Sequence, residues 1–270
     1  MVETADEAPH HAEPARRAHS WGDRVRFVLR GLGQTLITAG VIVLLFVVYE
    51  VYVTNYFADR AQAEVKTALR HEWQHDSKDP LLPLPGQAAP SVPDGTGIAY
   101  LYIPRLGRDY GYAIVQGTSD ADLEKGPGHY AGTALPGQIG NFAIAGHRVG
   151  KGEPFLNLDQ VQSGDAVIVQ TESRWFVYRI EGQPGNIGAT DADGVPGREI
   201  VDPSDGNVLY PVPDHPGVTP TKARITMTTC HPKFTASQRM VLHGVLAETV
   251  RAHGLAMPSS ITALYNEVTN

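Results

Sequence analysis

Residues 224–246 read RITMTTCHPKFTASQRMVLHGVL, two β-forming runs on either side of a loop. RITMTT and MVLHGVL are rich in β-branched and long apolar residues, whereas HPKFTASQ between them carries the proline and small polar residues of a turn. Five more runs of the same character precede them: 98–103 (IAYLYI), 112–116 (YAIVQ), 141–145 (NFAIA), 165–170 (DAVIVQ) and 175–181 (WFVYRIE). The intervening 120–125 and 154–158 leave room for only a helical turn or two. Gly 28 plus Pro 20 makes 48 of 270 residues, enough turn formers for a loop-rich β protein. Short, regularly spaced strands with few helices predict a mainly β domain over 97–250, a single barrel or sandwich. The stretch 182–220 departs from the pattern. It is rich in Asp, Pro and Gly without periodicity, and a loop that long in a compact domain is usually functional.

Upstream of the β region the chain changes character. Residues 31–49 contain no charged side chain, and 36–49 (LITAGVIVLLFVVY) is almost wholly apolar. At about 1.5 Å per residue, 31–49 covers roughly 28 Å, close to the ~30 Å of bilayer hydrocarbon. A transmembrane helix over 31–53 is therefore predicted. Arg16, Arg17, Arg24, Arg26 and Arg30 precede it, and Glu50 and Asp59 follow it. This asymmetry puts 1–30 in the cytoplasm and the remainder outside a single-span plasma-membrane protein. A cleaved signal peptide is the rival, but no A-x-A-like site follows the apolar run. Residues 55–78 are charged helix formers without Gly or Pro, and 79–95 holds five prolines. Together 54–96 reads as a helical stalk and an extended linker spacing the β domain from the membrane. Residues 251–270 read as a C-terminal tail.

The net charge is −7, from 22 Lys+Arg against 29 Asp+Glu, which argues against a nucleic-acid partner. One cysteine, Cys230, excludes an intramolecular disulfide and a multi-cysteine zinc site. No His or carboxylate spacing stands out as a metal site, and no cofactor is expected.

A lone thiol in an exported domain is a liability unless it is buried or used. Cys230 follows a strand and precedes a loop, where active residues tend to sit. A sulfur nucleophile needs a proton partner and a group to stabilise an oxyanion. The candidate bases are His129, His147, His215, His231 and His243. His147 ends a strand among small residues, in AGHRVG. His129, in GPGHY, reads as a turn residue, and His243 as a strand-face residue. His231 adjoins Cys230, and neighbours on an extended chain face opposite ways. Arg239, opening the last strong strand, offers bidentate donors to a carbonyl or oxyanion but no base.

These three separated segments, NFAIAGHR, ITMTTCHP and Arg239, behind an apolar N-terminal helix, resemble the sortases, the cysteine transpeptidases of Gram-positive surfaces. The type II anchor, Pro-rich linker and single span are most similar to class E, the actinobacterial housekeeping members. The resemblance implies an eight-stranded β-barrel with short helices. It implies Cys230 as nucleophile, His147 as general acid and base, and Arg239 holding the substrate carbonyl. The substrate would be an LPXTG- or LAXTG-like sorting signal on a surface protein, cleaved after Thr. The accepting amine would belong to a peptidoglycan precursor resembling lipid II. Thr228, Thr229, His231 and Tyr210 are expected to line the peptide site. Two other readings compete: another extracellular cysteine peptidase or an L,D-transpeptidase, and a membrane-tethered β-domain that binds wall or surface-protein partners without catalysis.

Overall fold

The computed structural model describes residues 21–49, 54–75, 92–252, 254 and 256–268. The segment 1–20 and most of the Pro-rich linker, expected at 79–95, lie outside them. The chain divides into two units, 1–48 and 49–270.

The first unit holds helix α1, Trp21–Val48, which begins well before residue 31. Its Arg24–Val48 stretch spans 25 residues at a mean hydropathy of 2.2, long and apolar enough to cross a membrane. The hydroxyls of Thr35 and Thr38 donate to the carbonyls of Gly31 and Gln34 one turn back, so neither is left unsatisfied in apolar surroundings.

Among the described residues of the second unit, helix α2 (Thr54–His75) precedes nine strands and two further α-helices. The strands are β1 (Gly97–Tyr102), β2 (Tyr112–Gln116), β3 (Gly128–His129), β4 (Gly140–Ala145), β5 (Ala166–Gln170), β6 (Arg174–Ile180), β7 (Arg198–Val201), β8 (Ala223–His231) and β9 (Gln238–Arg251). Helix α3 is Asp120–Leu123 and α4 is Ser259–Glu267. The strand order is β6-β5-β1-β2-β3-β4-β8-β9-β7, and an added β6–β9 pairing closes eight strands into a barrel with β7 outside the closure. Closure depends on the length of β9. Its first residues pair with β7 and β8, and its second half pairs with β6. At the changeover stands Gly244, where a Cβ would lie 3.0 Å from the Arg179 carbonyl and 3.1 Å from Ile225. A side chain there would push the two walls apart.

Leu101, Ile114, Phe142, Ile144, Val167, Val169, Tyr178, Ile225, Met227 and Leu242 fill the barrel. Residues alternating with them on β5 and β6, Ile168, Trp175 and Val177, pack outward against Ile261 and Leu264 of α4. Both faces of β5 are thus covered, which is why AVIVQ reads as a continuous apolar run. The tail expected at 251–270 is in part a docked helix.

Helix α2 is not a free-standing stalk. Leu69 packs on Tyr100 and Ala113 of the barrel, and Lys66 Nζ donates to Gly111 O at 2.6 Å. Buried Gln62 bonds both the N–H and the carbonyl of Ala113. Strand β3 is only two residues long and leaves those groups of β2 unpaired, so the Gln62 amide takes the place of the missing strand.

Candidate active site

Parallel pairing of β4 with β8 runs from Gly140↔Ala223 to Ala145↔Thr228, so both strands end at the same rim of the barrel. His147 lies two residues beyond Ala145, and Cys230 two beyond Thr228. On the other side of β8, Cys230 is the direct antiparallel partner of Arg239 on β9. Three adjacent strands therefore present imidazole, thiol and guanidinium at one level. Ile225 and Met227 point into the core, so Thr226, Thr228 and Cys230 face outward. By the same alternation Arg239, Val241 and His243 share that outer face with Cys230.

The free thiol of Cys230 is half-buried, neither sealed in the core nor fully open. His147 is also half-buried, and its Nε2 is buried without a hydrogen-bond partner among the described residues. Burial, reinforced by the nearby Lys151 charge, holds its pKa below that of a free histidine against weaker pulls from Asp120 and Glu124. The resting imidazole is neutral. Arg239 Nη1 donates to the carbonyls of Ala236 and Gln238, both at 3.2 Å, so its guanidinium lies over its own turn.

The tight turn before His147 is enforced by packing. A Cβ on Gly146 would meet the Phe155 ring at 2.6 Å. Thr229 is buried on the face opposite Cys230, and its hydroxyl donates to Gly146 O at 2.8 Å. Its side chain thus ties β8 to the His147 turn and does not line a peptide groove. His231 also lies off the Cys230 face, with Nδ1 bonded to Arg148 Nη1 at 2.9 Å. Thr228 sits on the site face and its hydroxyl bonds the Tyr130 hydroxyl at 2.9 Å. Tyr210, 39% exposed, belongs to the β7–β8 loop over 202–222. That loop borders the outer face, with its Val208 and Tyr210 carbonyls held by Asn141 Nδ2 at 3.0 and 3.1 Å.

Two residues of the site escape a reading of the sequence. Arg148, 4% exposed, donates to Cys230 O at 3.2 Å and pairs with Asp159 at 3.3 Å, clamping the Cys230 backbone. Its only sequence signal is adjacency to His147. His129 is not a turn residue: it is buried in β3, with Nδ1 donating to Gln116 Oε1 at 2.8 Å. Tyr130 beside it reaches the site through Thr228.

Imidazole, thiol and guanidinium thus stand at the ends of neighbouring strands of a closed eight-stranded barrel. The sortase domain model matches residues 101–247, and the chain belongs to the sortase family. It is 35% identical over 256 residues to sortase SrtE1 of Streptomyces coelicolor, covering 91% of this chain and 65% of that relative's length. The SrtF sortase from Corynebacterium diphtheriae superposes with a TM-score of 0.56 at 38% identity, over 67% of this chain and 98% of that one. The structure of sortase E1 from S. coelicolor with a tripeptide in the active site gives 0.50 at 34% identity, over 62% and 96%. The relatives thus include class E sortases, as the motifs imply.

Proposed function

We propose that this chain is a membrane-anchored extracellular cysteine transpeptidase, which cleaves an LPXTG- or LAXTG-like sorting signal after Thr and joins the surface protein to a cell-wall precursor amine. The observation that carries the reading is the strand register, Cys230 opposite Arg239 with His147 at the same rim. Neutral His147 takes the thiol proton as Cys230 Sγ attacks the threonine carbonyl carbon. Arg239 swings from its loop carbonyls to the developing oxyanion. Collapse breaks the C–N bond, His147 gives its proton to the departing glycine nitrogen, and a thioester remains. The incoming amine then attacks the thioester, loses its proton to His147 and displaces the Cys230 sulfur, which recovers that proton. The tripeptide in the S. coelicolor enzyme supports a peptide substrate here. Helix α1, with Arg24, Arg26 and Arg30 in its N-terminal turns, supports a single span with the barrel outside.

The test incubates the full chain in detergent with LAXTG and LPXTG peptides plus an amine, followed by mass spectrometry. A Thr-linked amide is expected from wild type and not from Cys230→Ala, His147→Ala or Arg239→Ala. Intact peptides with folded wild type across several amines would overturn the reading.

A further inference from the structure

The outer face of β8 and β9 carries a second group of polar side chains, under the β7–β8 loop. Asn141 uses its amide N–H groups on the Val208 and Tyr210 carbonyls, so its Oδ1 is an acceptor for the Thr226 hydroxyl at 2.7 Å. Thr226 has one hydroxyl proton and has spent it. Its oxygen can therefore only accept from His243 Nδ1, at 2.8 Å. Nδ1 therefore carries a proton, and Nε2 is the ring nitrogen that faces Glu199 Oε1, 2.9 Å away.

The Asp214 carboxylate, from the loop, joins them, and the ligand atoms of Glu199, Asp214 and His243 all lie within 4.8 Å of one another. His243 is fully buried, Glu199 only partly so. No Lys or Arg forms a salt bridge to either carboxylate among the described residues. One ring nitrogen and two carboxylates thus converge on this outer face. An imidazole whose far N–H is tied to an outer partner is the usual arrangement of a metal-bound histidine.

We propose that Glu199, Asp214 and His243 form a site for one divalent transition-metal ion of the zinc class. The imidazole nitrogen selects against calcium and magnesium, which prefer all-oxygen sites. Three protein ligands leave a fourth, solvent-facing position for water. Because Asp214 belongs to the loop while Glu199 and His243 belong to β7 and β9, the ion staples the loop to the barrel. Its effect on a peptide groove rests on the transpeptidase reading; its binding does not.

The experiment titrates untagged, chelator-stripped full chain in detergent with Zn²⁺ by calorimetry at neutral pH, and with Co²⁺ by visible absorption. Wild type is expected to take up one ion that raises its unfolding temperature. Asp214→Asn and Glu199→Gln should each weaken binding at least about 10-fold, while Cys230→Ala binds as wild type. Asp214→Asn is isosteric and lies on a loop, so it decides the matter should Glu199→Gln fail to fold. No saturable Zn²⁺ binding, equal binding by Asp214→Asn, or binding lost in Cys230→Ala would each overturn the site. Ca²⁺ binding in place of Zn²⁺ would overturn its assigned chemistry.

Discussion

Thr229 spends its hydroxyl on the carbonyl of Gly146, one residue before the imidazole. Thr229→Val keeps the shape and leaves that buried acceptor unpaired, at a cost of about 1–3 kcal/mol in unfolding free energy. Because the tether sets where His147 stands, kcat should also fall about 10-fold or more with KM little changed. Thr229→Ser should restore both, and steady-state kinetics of the three proteins checks it. A pH profile tests the imidazole itself. With the His147 pKa depressed, the neutral base persists below pH 6.5, so the acid limb of kcat/KM should fall below that value. Lys151→Gln removes a like charge and should move the limb upward; a limb that stays put would mean that Lys151 is screened by solvent. The gathering of Cys230, His147 and Arg239 at one rim was legible because AGHR and TTCHP end strand-like runs and Arg239 opens the next one. The contact made by Thr229 and the burial of Arg148 could not, since a strand residue's face is fixed only once its partner strands are known.

Elements legible in the sequence are those whose composition decides them. β2 spans 112–116 as its residues predict, β4 and β5 differ by a residue at one end, and β1 and β6 by a residue at both. Strands β3 and β7 were not legible, being two and four residues long and held by pairing with other strands and not by their own composition. β8 extends through Cys230 and His231, beyond the apolar run, because β9 continues to pair with it there. The docking of α2 was hidden for another reason: Gln62 looks like any polar helix residue until β3 proves too short to satisfy Ala113. Ala113 is fully buried, so water cannot replace the amide. Gln62→Ala should therefore destabilise the barrel by about 2 kcal/mol or more, measured by urea unfolding. A change within about 0.5 kcal/mol, typical of a surface site, would mean that α2 is dispensable.

At the scale of the whole molecule, the barrel's response to acid follows from where its histidines sit. His129, between β3 and the core, is held down to about 4 by burial, against a smaller lift from the Ala134 carbonyl. An unfolded chain gains that proton near pH 6.5, so between 6.5 and 4 the unfolded state binds more protons and stability falls as pH falls. The window is about 2.5 pH units, which corresponds to roughly 3 kcal/mol present above pH 6.5 and lost by pH 4. His147 and His243, both depressed by burial, act in the same direction. Glu181, raised to about 7 first by burial, and Asp214, raised to about 6, act in the opposite direction. Their protonated forms favour the fold, a contribution present at low pH and lost as pH rises through 6 to 7. The two sets offset each other from about pH 6.5 down to about 4.5, where the unfolded carboxyls also take up their protons and that gain ends, leaving the buried histidines to act alone. Thermal unfolding should thus give a shallow dependence between about pH 6.5 and 4.5 and a steeper loss below that range, where the depressed carboxylates Asp159 and Asp191 add to the histidines. His129→Gln retains a side-chain amide beside Gln116 and removes the titrating ring, so its curve should be lower at pH 7 and flatter between 6 and 4. A variant curve parallel to wild type would show that protonation of His129 is not what acid attacks.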